Sequence, residues 1–388
     1  MIDYSSVLSQ RAAGLKPSGI RKFFDLLMEM QDVVSLGVGE PDFVTPWHIR
    51  EAGITSLEKG HTKYSSNAGL MELRNEICSY LERRFNLKYD PATETVVTVG
   101  GSEAIDLAIR ALVNPGDEVL IPEPSFVCYS PIAQLASGVP VVIPLTADNE
   151  FRISPEQLKA AITPKSKVLV LPYPSNPTGG IMSEEDLRAL VPVIEEHNLF
   201  VISDEIYAEL TYGAHHVSIA NLPGMQERTV LVNGFSKAYS MTGWRLGYAC
   251  APAPIMSVIN KIHQFAIMCA PTTSQFAGIE ALRHGDEDIE RMKEEYDGRR
   301  RYLVQGLREI GFDCFEPLGA FYVFPSIQKT GLSSEDFCER LLLNQQVAVI
   351  AGNAFGDSGE GFVRMCYAAS MQNLETALER MYRFLKSL

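Results

Sequence analysis

Between Glu94 and Cys250 seven short β-rich runs recur: Thr95–Val99, Glu118–Ile121, Val139–Ile143, Lys167–Leu171, Leu199–Ser203, Thr229–Val232 and Leu246–Cys250. The stretches between them are mostly long enough for an amphipathic helix. Strands alternating with helices are accommodated by a sheet whose crossover helices cover its faces, so this pattern predicts an α/β domain. In such a sheet ligands bind beyond the carboxyl ends of the strands, which is where chemistry should be sought. After about Pro271 the texture changes. A charged helical stretch from Asp286 to Leu307, strands at Ala320–Phe324, Val347–Ile350 and Phe362–Cys366, and a last helix to Leu388 predict a smaller α+β domain. Ahead of the sheet, Ser18 can cap a helix that sets Ile20, Phe23, Phe24, Leu27 and Met30 on one face. The expected division is an arm and part of the small domain over 1–45, a large domain over 46–282 and a small domain over 283–388.

Charge and composition narrow the function. The 388 residues carry 34 basic and 48 acidic side chains, a net charge of −14, which repels a polyphosphate backbone and argues against a nucleic-acid partner. The one dense basic run, Arg299-Arg300-Arg301, follows Lys293-Glu294-Glu295 and reads as a solvated helix face. Seven scattered cysteines without a C-x-x-C pair suggest reduced thiols and no zinc, and His215-His216 reads as polar loop surface. Met1 to Arg11 holds Asp3, Tyr4, Ser5 and Ser6 where a secretory signal needs an apolar block, and no run of 18 apolar residues is present. A cytoplasmic protein without a membrane partner is expected.

The most informative stretch follows the run Thr229–Val232 and reads Asn233-Gly-Phe-Ser-Lys237-Ala-Tyr-Ser-Met-Thr-Gly-Trp-Arg245-Leu-Gly247. A lysine is ordinarily a surface residue. Here small and apolar neighbours and an arginine eight positions on would depress its pKa, and an amine nucleophile works only when neutral. A Schiff-base lysine accounts for every feature. Phe200-Val-Ile-Ser-Asp204-Glu-Ile-Tyr207 ends a strand in an acid; by itself Asp204 could cap a helix and Tyr207 fill core. Pro172-Tyr-Pro-Ser-Asn176-Pro-Thr-Gly-Gly180 is a loop after a strand. Gly100-Gly101-Ser102-Glu103, between a strand and the helical face Ile105, Ala108, Ile109, Leu112, is a helix N-terminus able to hold an anion. No G-x-G-x-x-G occurs, and Gly37-Val-Gly39 lacks the third glycine, so a nicotinamide fingerprint is unsupported. Arg364, in Gly361-Phe-Val-Arg-Met-Cys-Tyr367, shares a strand face with Phe362 and Cys366, where it either clamps an anion or lies at an edge with its head in water.

Gly234 to Gly247 resembles the lysine signature of class I pyridoxal-phosphate aminotransferases, and the rest of that family's constellation follows over nearly the whole chain. The resemblance implies fold type I, like aspartate aminotransferase: a large cofactor domain with a seven-stranded, mostly parallel sheet and a smaller α+β domain. It implies pyridoxal 5′-phosphate bound to Lys237, with Asp204 on the pyridine nitrogen, Tyr207 and Asn176 on the phenolic oxygen and Phe126 stacked on the ring. Gly101, Ser102, Glu103, Ser236 and Arg245 would hold the phosphate. Arg364, with Gly39, Asn176 and the arm residue Lys16, would hold the substrate. Tyr64 would reach the phosphate of a second subunit, which makes the expected assembly a homodimer with shared sites. The expected reaction is ping-pong transfer of an amino group from an L-amino acid to a 2-oxo acid, 2-oxoglutarate above all. The group of closest likeness spans aromatic-amino-acid, aspartate and N-acetyl-diaminopimelate aminotransferases of bacteria and archaea.

Two departures concern selectivity. Aspartate-specialised members often carry tryptophan at the position of Phe126, and some bacterial ones carry lysine at that of Ser102. Arg283, Arg291 and Arg299 fall in a helical stretch and are expected to be solvated, which leaves no distal arginine for a side-chain carboxylate. The same lysine, aspartate and arginine would also serve a carbon–sulfur β-lyase. A more distant reading takes Gly234-Phe-Ser236-Lys-Ala238 as the elbow of a serine hydrolase, although Ala238 replaces its last glycine and neither His263 nor His284 has an evident acid partner.

Overall fold

A computed structural model describes residues 4–15 and 32–388; Lys16 and the helix expected after Ser18 lie outside the described residues. After a short strand β1 (Val34–Ser35), the seven runs become β2 (Thr95–Thr98), β3 (Glu118–Glu123), β4 (Val139–Pro144), β5 (Ser166–Leu171), β6 (Phe200–Asp204), β7 (Thr229–Gly234) and β8 (Gly247–Cys250). They form one sheet in the order β2-β8-β7-β6-β5-β3-β4. Only β8 runs antiparallel to its neighbours. The strands are apolar on both sides because both faces are covered. Val168 and Val170 of β5 face a core shared with Ile105, Ala108 and Ile109 of the helix Gly100–Leu112. Leu169 and Leu171 face another, shared with Leu187, Leu190 and Ile194 of the helix Glu184–Glu196. Each such side chain contributes about 1.5–3 kcal/mol on leaving water, so the sheet is a firm platform for whatever stands at its ends.

The remaining strands are β9 (Tyr322–Val323), β10 (Val347–Ala348), β11 (Ile350–Ala351) and β12 (Val363–Cys366). The single strand expected at Val347–Ile350 is two: β10 pairs parallel with β1, and past Val349 the chain changes neighbour so that β11 joins β12, which also pairs with β9. Two helices, Asp286–Glu309 and Met371–Ser387, pack on these strands through stripes that include Met292, Tyr296, Leu303 and Leu307 on one and Leu374, Met381 and Phe384 on the other. Tyr207, Leu210 and Tyr212, just past β6, enter this same core and tie it to the large sheet.

The basic run on the first of these helices is not a solvated face. Arg299 and Arg300 are buried and only Arg301 is exposed, because the 3.6-residue period sets 299 and 300 beside Tyr296 and Leu303. Arg300 pairs with Asp297 and Glu316 and lies over the ring of Tyr212. Arg299 pairs with Glu295 and, across the chain, with Asp42. Arg283 and Arg291 keep more exposed ion pairs with acids on neighbouring turns or helices.

Candidate active site

At one edge of the sheet β2 leads into Gly101 and Ser102, β3 toward Phe126, β5 toward Asn176, β6 stops at Asp204 and β7 leads into Ser236 and Lys237. Because β8 is reversed, Arg245 just before it arrives at the same edge. All of these line a cleft of about 640 Å³, closed on its other side by Gly37, Gly39, Tyr322 and Arg364. Residues 101 to 237 meet there because parallel strands deliver their carboxyl ends to one side.

Lys237 Nζ donates to the Gly39 carbonyl at 2.7 Å and lies 5.6 Å and 5.5 Å from the ring centroids of Tyr207 and Phe321. Burial brings its pKa down to about 8; Arg364 and Arg245 push the same way, against Cys366 and Glu40. Such an amine is neutral in a useful fraction near neutrality, as a nucleophile or a base requires. Asp204 accepts from Tyr129 Oη at 2.7 Å and from the Ile206 N–H at 3.3 Å. Burial drives its pKa up to about 6, while those two donors and Lys237 hold it down. A cationic ring nitrogen set against this carboxylate would favour the ionised form further.

The anion cradle is built from the backbone. The 13-residue helix Gly100–Leu112 presents its N-terminus to the cleft, and its first residues keep free N–H groups. Gly100 adopts φ +77°, and a Cβ there would lie 2.6 Å from Arg245 Nη2, so only glycine lets that guanidinium approach the turn. Arg245 is itself left-handed, at φ 51°, and donates to the Thr242 carbonyl at 3.0 Å.

Arg364 is the second cationic anchor. Its Nη1 donates to Asn176 Oδ1 at 2.9 Å and its Nη2 to the Gly37 carbonyl at 2.6 Å. The guanidinium lies between the rings of Tyr322 and Phe355, with its carbon 4.5 Å and 4.7 Å from their centroids. Its buried Nε has no hydrogen-bond partner among the described residues. A buried donor without a partner costs about 1–3 kcal/mol, so this face suits an anion. The lysine, the buried acid, the anion cradle and this orphaned donor together fit pyridoxal phosphate with an amino-acid substrate.

Most of the expected site residues are brought together: Gly39, Gly101, Ser102, Phe126, Asn176, Asp204, Tyr207, Ser236, Lys237, Arg245 and Arg364 all line the cleft. Glu103 does not. Its carboxylate turns back to accept from the Val99 N–H and from His263 Nδ1, the latter at 2.7 Å, where it complements its own helix N-terminus. His263 therefore has an acid partner after all, but as a fully buried strut beneath that helix. Tyr64 is 81% exposed and stands outside the cleft lining. His216 is no surface residue: its Nε2 lies 2.8 Å from Glu205, whose buried carboxylate also accepts from Ser203 and Ser218 directly behind Asp204.

Two tyrosines that line the cleft are not recognisable from the chain alone. Tyr129 reaches Asp204, and Tyr322 Oη lies 2.7 Å from Tyr207 Oη. Tyr129, three residues past Phe126 at the start of a helix, had at least a positional hint; Tyr322, in an apolar run of a distant strand, had none.

Comparison with known proteins agrees with the geometry. Residues 31–381 match the family described as aminotransferase class I and II. The aspartate aminotransferase of Pyrococcus abyssi (strain GE5 / Orsay) is 44% identical over 382 residues, covering 98% of each chain. Aromatic-amino-acid aminotransferase 2 of Thermococcus litoralis (strain ATCC 51850 / DSM 5473 / JCM 8560 / NS-C) is 41% identical, again over 98% of both. The solved structure of aspartate aminotransferase from Thermus thermophilus with maleate superposes with a TM-score of 0.92 at 38% identity, covering 97% of this chain and 99% of that one. With lysine, buried acid and Arg245 at one sheet edge, Arg364 across the cleft and likeness along its whole length, the chain belongs to the class I and II aminotransferases, enzymes that use pyridoxal 5′-phosphate.

Proposed function

We propose that the transamination is divided among this chain's residues as follows, the reading being carried by the neutralisable Lys237 amine set in one cleft with Asp204 and Arg364. When bound, the cofactor supplies an electron sink for negative charge developing at the substrate's Cα. Lys237 holds the cofactor at rest and, once displaced by the substrate's amine, takes up the Cα proton at Nζ. Asp204 stands against the ring nitrogen, Tyr207 and Asn176 donate to the phenolic oxygen, and Phe126 covers a ring face. Gly101, Ser102, Ser236 and Arg245 hold the phosphate, to which Glu103 contributes no more than its backbone. Arg364 takes the substrate's α-carboxylate through the donors that Asn176 and Gly37 leave free, beside the Gly39 backbone.

For substrates we propose L-amino acids of the aromatic, aspartate or N-acetyl-diaminopimelate kind as donors and 2-oxoglutarate as acceptor. The names of relatives support each of these donors. Among the described residues the cations lining the cleft are Lys237, Arg245 and Arg364, each of which has a task, so a second carboxylate on donor or acceptor meets no further cation there. We further propose a homodimer in which Tyr64 serves the other copy's phosphate, a division into domains at 46–282 and 283–388, and a cytoplasmic location. The seven unpaired cysteines support the location, and among the described residues no helix is long and apolar enough to cross a membrane.

The test is a donor screen against 2-oxoglutarate, with Lys237→Ala alongside. That variant is expected to lose turnover by several orders of magnitude together with the absorbance of the bound cofactor. Undiminished turnover would remove the mechanism.

A further inference from the structure

The loop Leu36–Phe43 brings two backbone carbonyls to the cleft: Gly37 accepts from Arg364 and Gly39 from Lys237. The start of the loop is tied by backbone hydrogen bonds from Leu36 N to Ala348 and from Cys366 N to Leu36. Its middle lies close against the small-domain strands, since a Cβ on Gly39 would stand 2.5 Å from Tyr322 Oη. Beyond its end, Thr45 Oγ1 donates to the Ser240 carbonyl at 2.6 Å. Between these ties Phe43 packs on Tyr296 and under Arg291, and among the described residues Arg299 is the side chain that bonds the loop through Asp42.

Arg299 Nη1 donates to Asp42 Oδ2 at 2.7 Å. Its guanidinium lies over Phe43, 5.3 Å from the ring centroid, and over Tyr296 at 5.7 Å, while those two rings meet edge to face at 5.3 Å. The Arg299 side chain is 9% exposed and does not line the cleft. A charge-assisted bond and two ring contacts on a nearly buried guanidinium form a rigid anchor that a lysine's point charge would not reproduce.

We propose that Arg299 is a positioning residue for recognition of the substrate carboxylate. By holding Asp42 and Phe43 it keeps the Gly37 carbonyl on Arg364 Nη2, so that the guanidinium presents its remaining donors to the substrate in a fixed orientation. This rests on the assignment of Arg364 as the carboxylate clamp. Loosening the loop lets the Arg364 head turn in place, which weakens binding of donor and acceptor alike because both carry the same α-carboxylate. The cofactor's ring contacts, made by Asp204 and Tyr207 on another element, are left unaltered.

The test is steady-state kinetics of the holoenzyme with an amino donor and 2-oxoglutarate for Arg299→Gln, Asp42→Asn, their double variant, Glu295→Gln and Arg364→Lys. Arg299→Gln and Asp42→Asn should each raise both KM values about tenfold with kcat within about threefold, and the pH titration of the bound cofactor's absorbance should not move. The double variant should be no worse than the weaker single, since both remove one link. Glu295→Gln, which takes away the other carboxylate on Arg299, should behave as wild type. Asp42 is 29% exposed, so Asp42→Asn carries the same expectation alone should Arg299→Gln not fold. Unchanged KM in the Arg299 and Asp42 variants beside a raised KM in Arg364→Lys would overturn the anchor and leave the clamp standing. Unchanged KM in Arg364→Lys would overturn both. Additive losses in the double variant, or a fall in kcat at constant KM, would also end the proposal.

Discussion

A lysine amine at the bottom of a cleft weakens the fold in a way a surface lysine does not. Lys237 stays protonated up to about 10.5 in an unfolded chain but only to about 8 in the folded one. Between those values the folded state binds fewer protons, so its stability climbs with pH across that window; below about 8 the burial penalty is fully present. In protein stripped of its cofactor, Lys237→Met is therefore expected to raise stability at pH 7 by roughly 1–3 kcal/mol, and the gain should shrink as pH rises from 8 toward 10.5. Urea titrations at three pH values check this. Equal stability of the two proteins at pH 7 would show that the site relieves the charge in some other way. By the same reasoning the stripped protein should capture pyridoxal phosphate faster as pH rises through about 8, followed by the growth of its absorbance.

At the scale of elements, the anion cradle depends on two backbone segments meeting without side chains. A Cβ on Gly247, at the start of β8, would lie 2.6 Å from the carbonyl carbon of Gly100 and 2.7 Å from Gly101 N. Neither atom can yield without moving the helix N-terminus proposed to hold the phosphate. Gly247→Ala is expected to reduce stability by roughly 1–3 kcal/mol and to weaken cofactor binding at least about tenfold. Gly101→Ala is its control, because a Cβ there would meet Ile206 and Val232 at ordinary contact distances of 3.7 Å and 3.8 Å. Thermal melting and cofactor titration of the two variants distinguish a cradle set by backbone contact from one that merely contains glycine. That β2 leads through a glycine turn into a helix was legible, since turn residues and apolar period are local. That Gly247 props the turn was not, because it arises from the antiparallel pairing of β2 and β8, whose residues are far apart in the chain.

For the whole molecule, several large apolar side chains stand in the open. Phe265 is 86% exposed, Tyr64 81%, Trp47 57% and Met268 46%. These belong to neighbouring segments, since Asn67 bonds to the Met268 carbonyl, Thr272 bonds to the Lys63 carbonyl, and the helix Trp47–Glu58 packs on Thr272–His284. The proposed homodimer would cover these side chains. Sedimentation should give twice the mass of one chain, and Phe265→Asp should shift it toward a single chain with loss of activity. Tyr64→Phe should remain paired yet release cofactor more readily. A single chain of full activity would remove the shared site.

The seven strands, the helix that opens on the cradle and the reacting lysine, acid and arginines were all written locally, in propensity, apolar period and short motifs read over ten or fifteen residues. What these groups touch was decided by tertiary packing. Tyr129 meets Asp204 across 75 positions, Lys237 meets Gly39 across 198, Arg299 meets Asp42 across 257 and Arg364 meets Gly37 across 327. Glu103 stands outside the cleft lining for the same reason: His263, 160 residues on, is within reach. A strand needs only the right residues in the right period, whereas a hydrogen bond needs two atoms within a few tenths of an ångström, and over such separations only the packed core sets that distance.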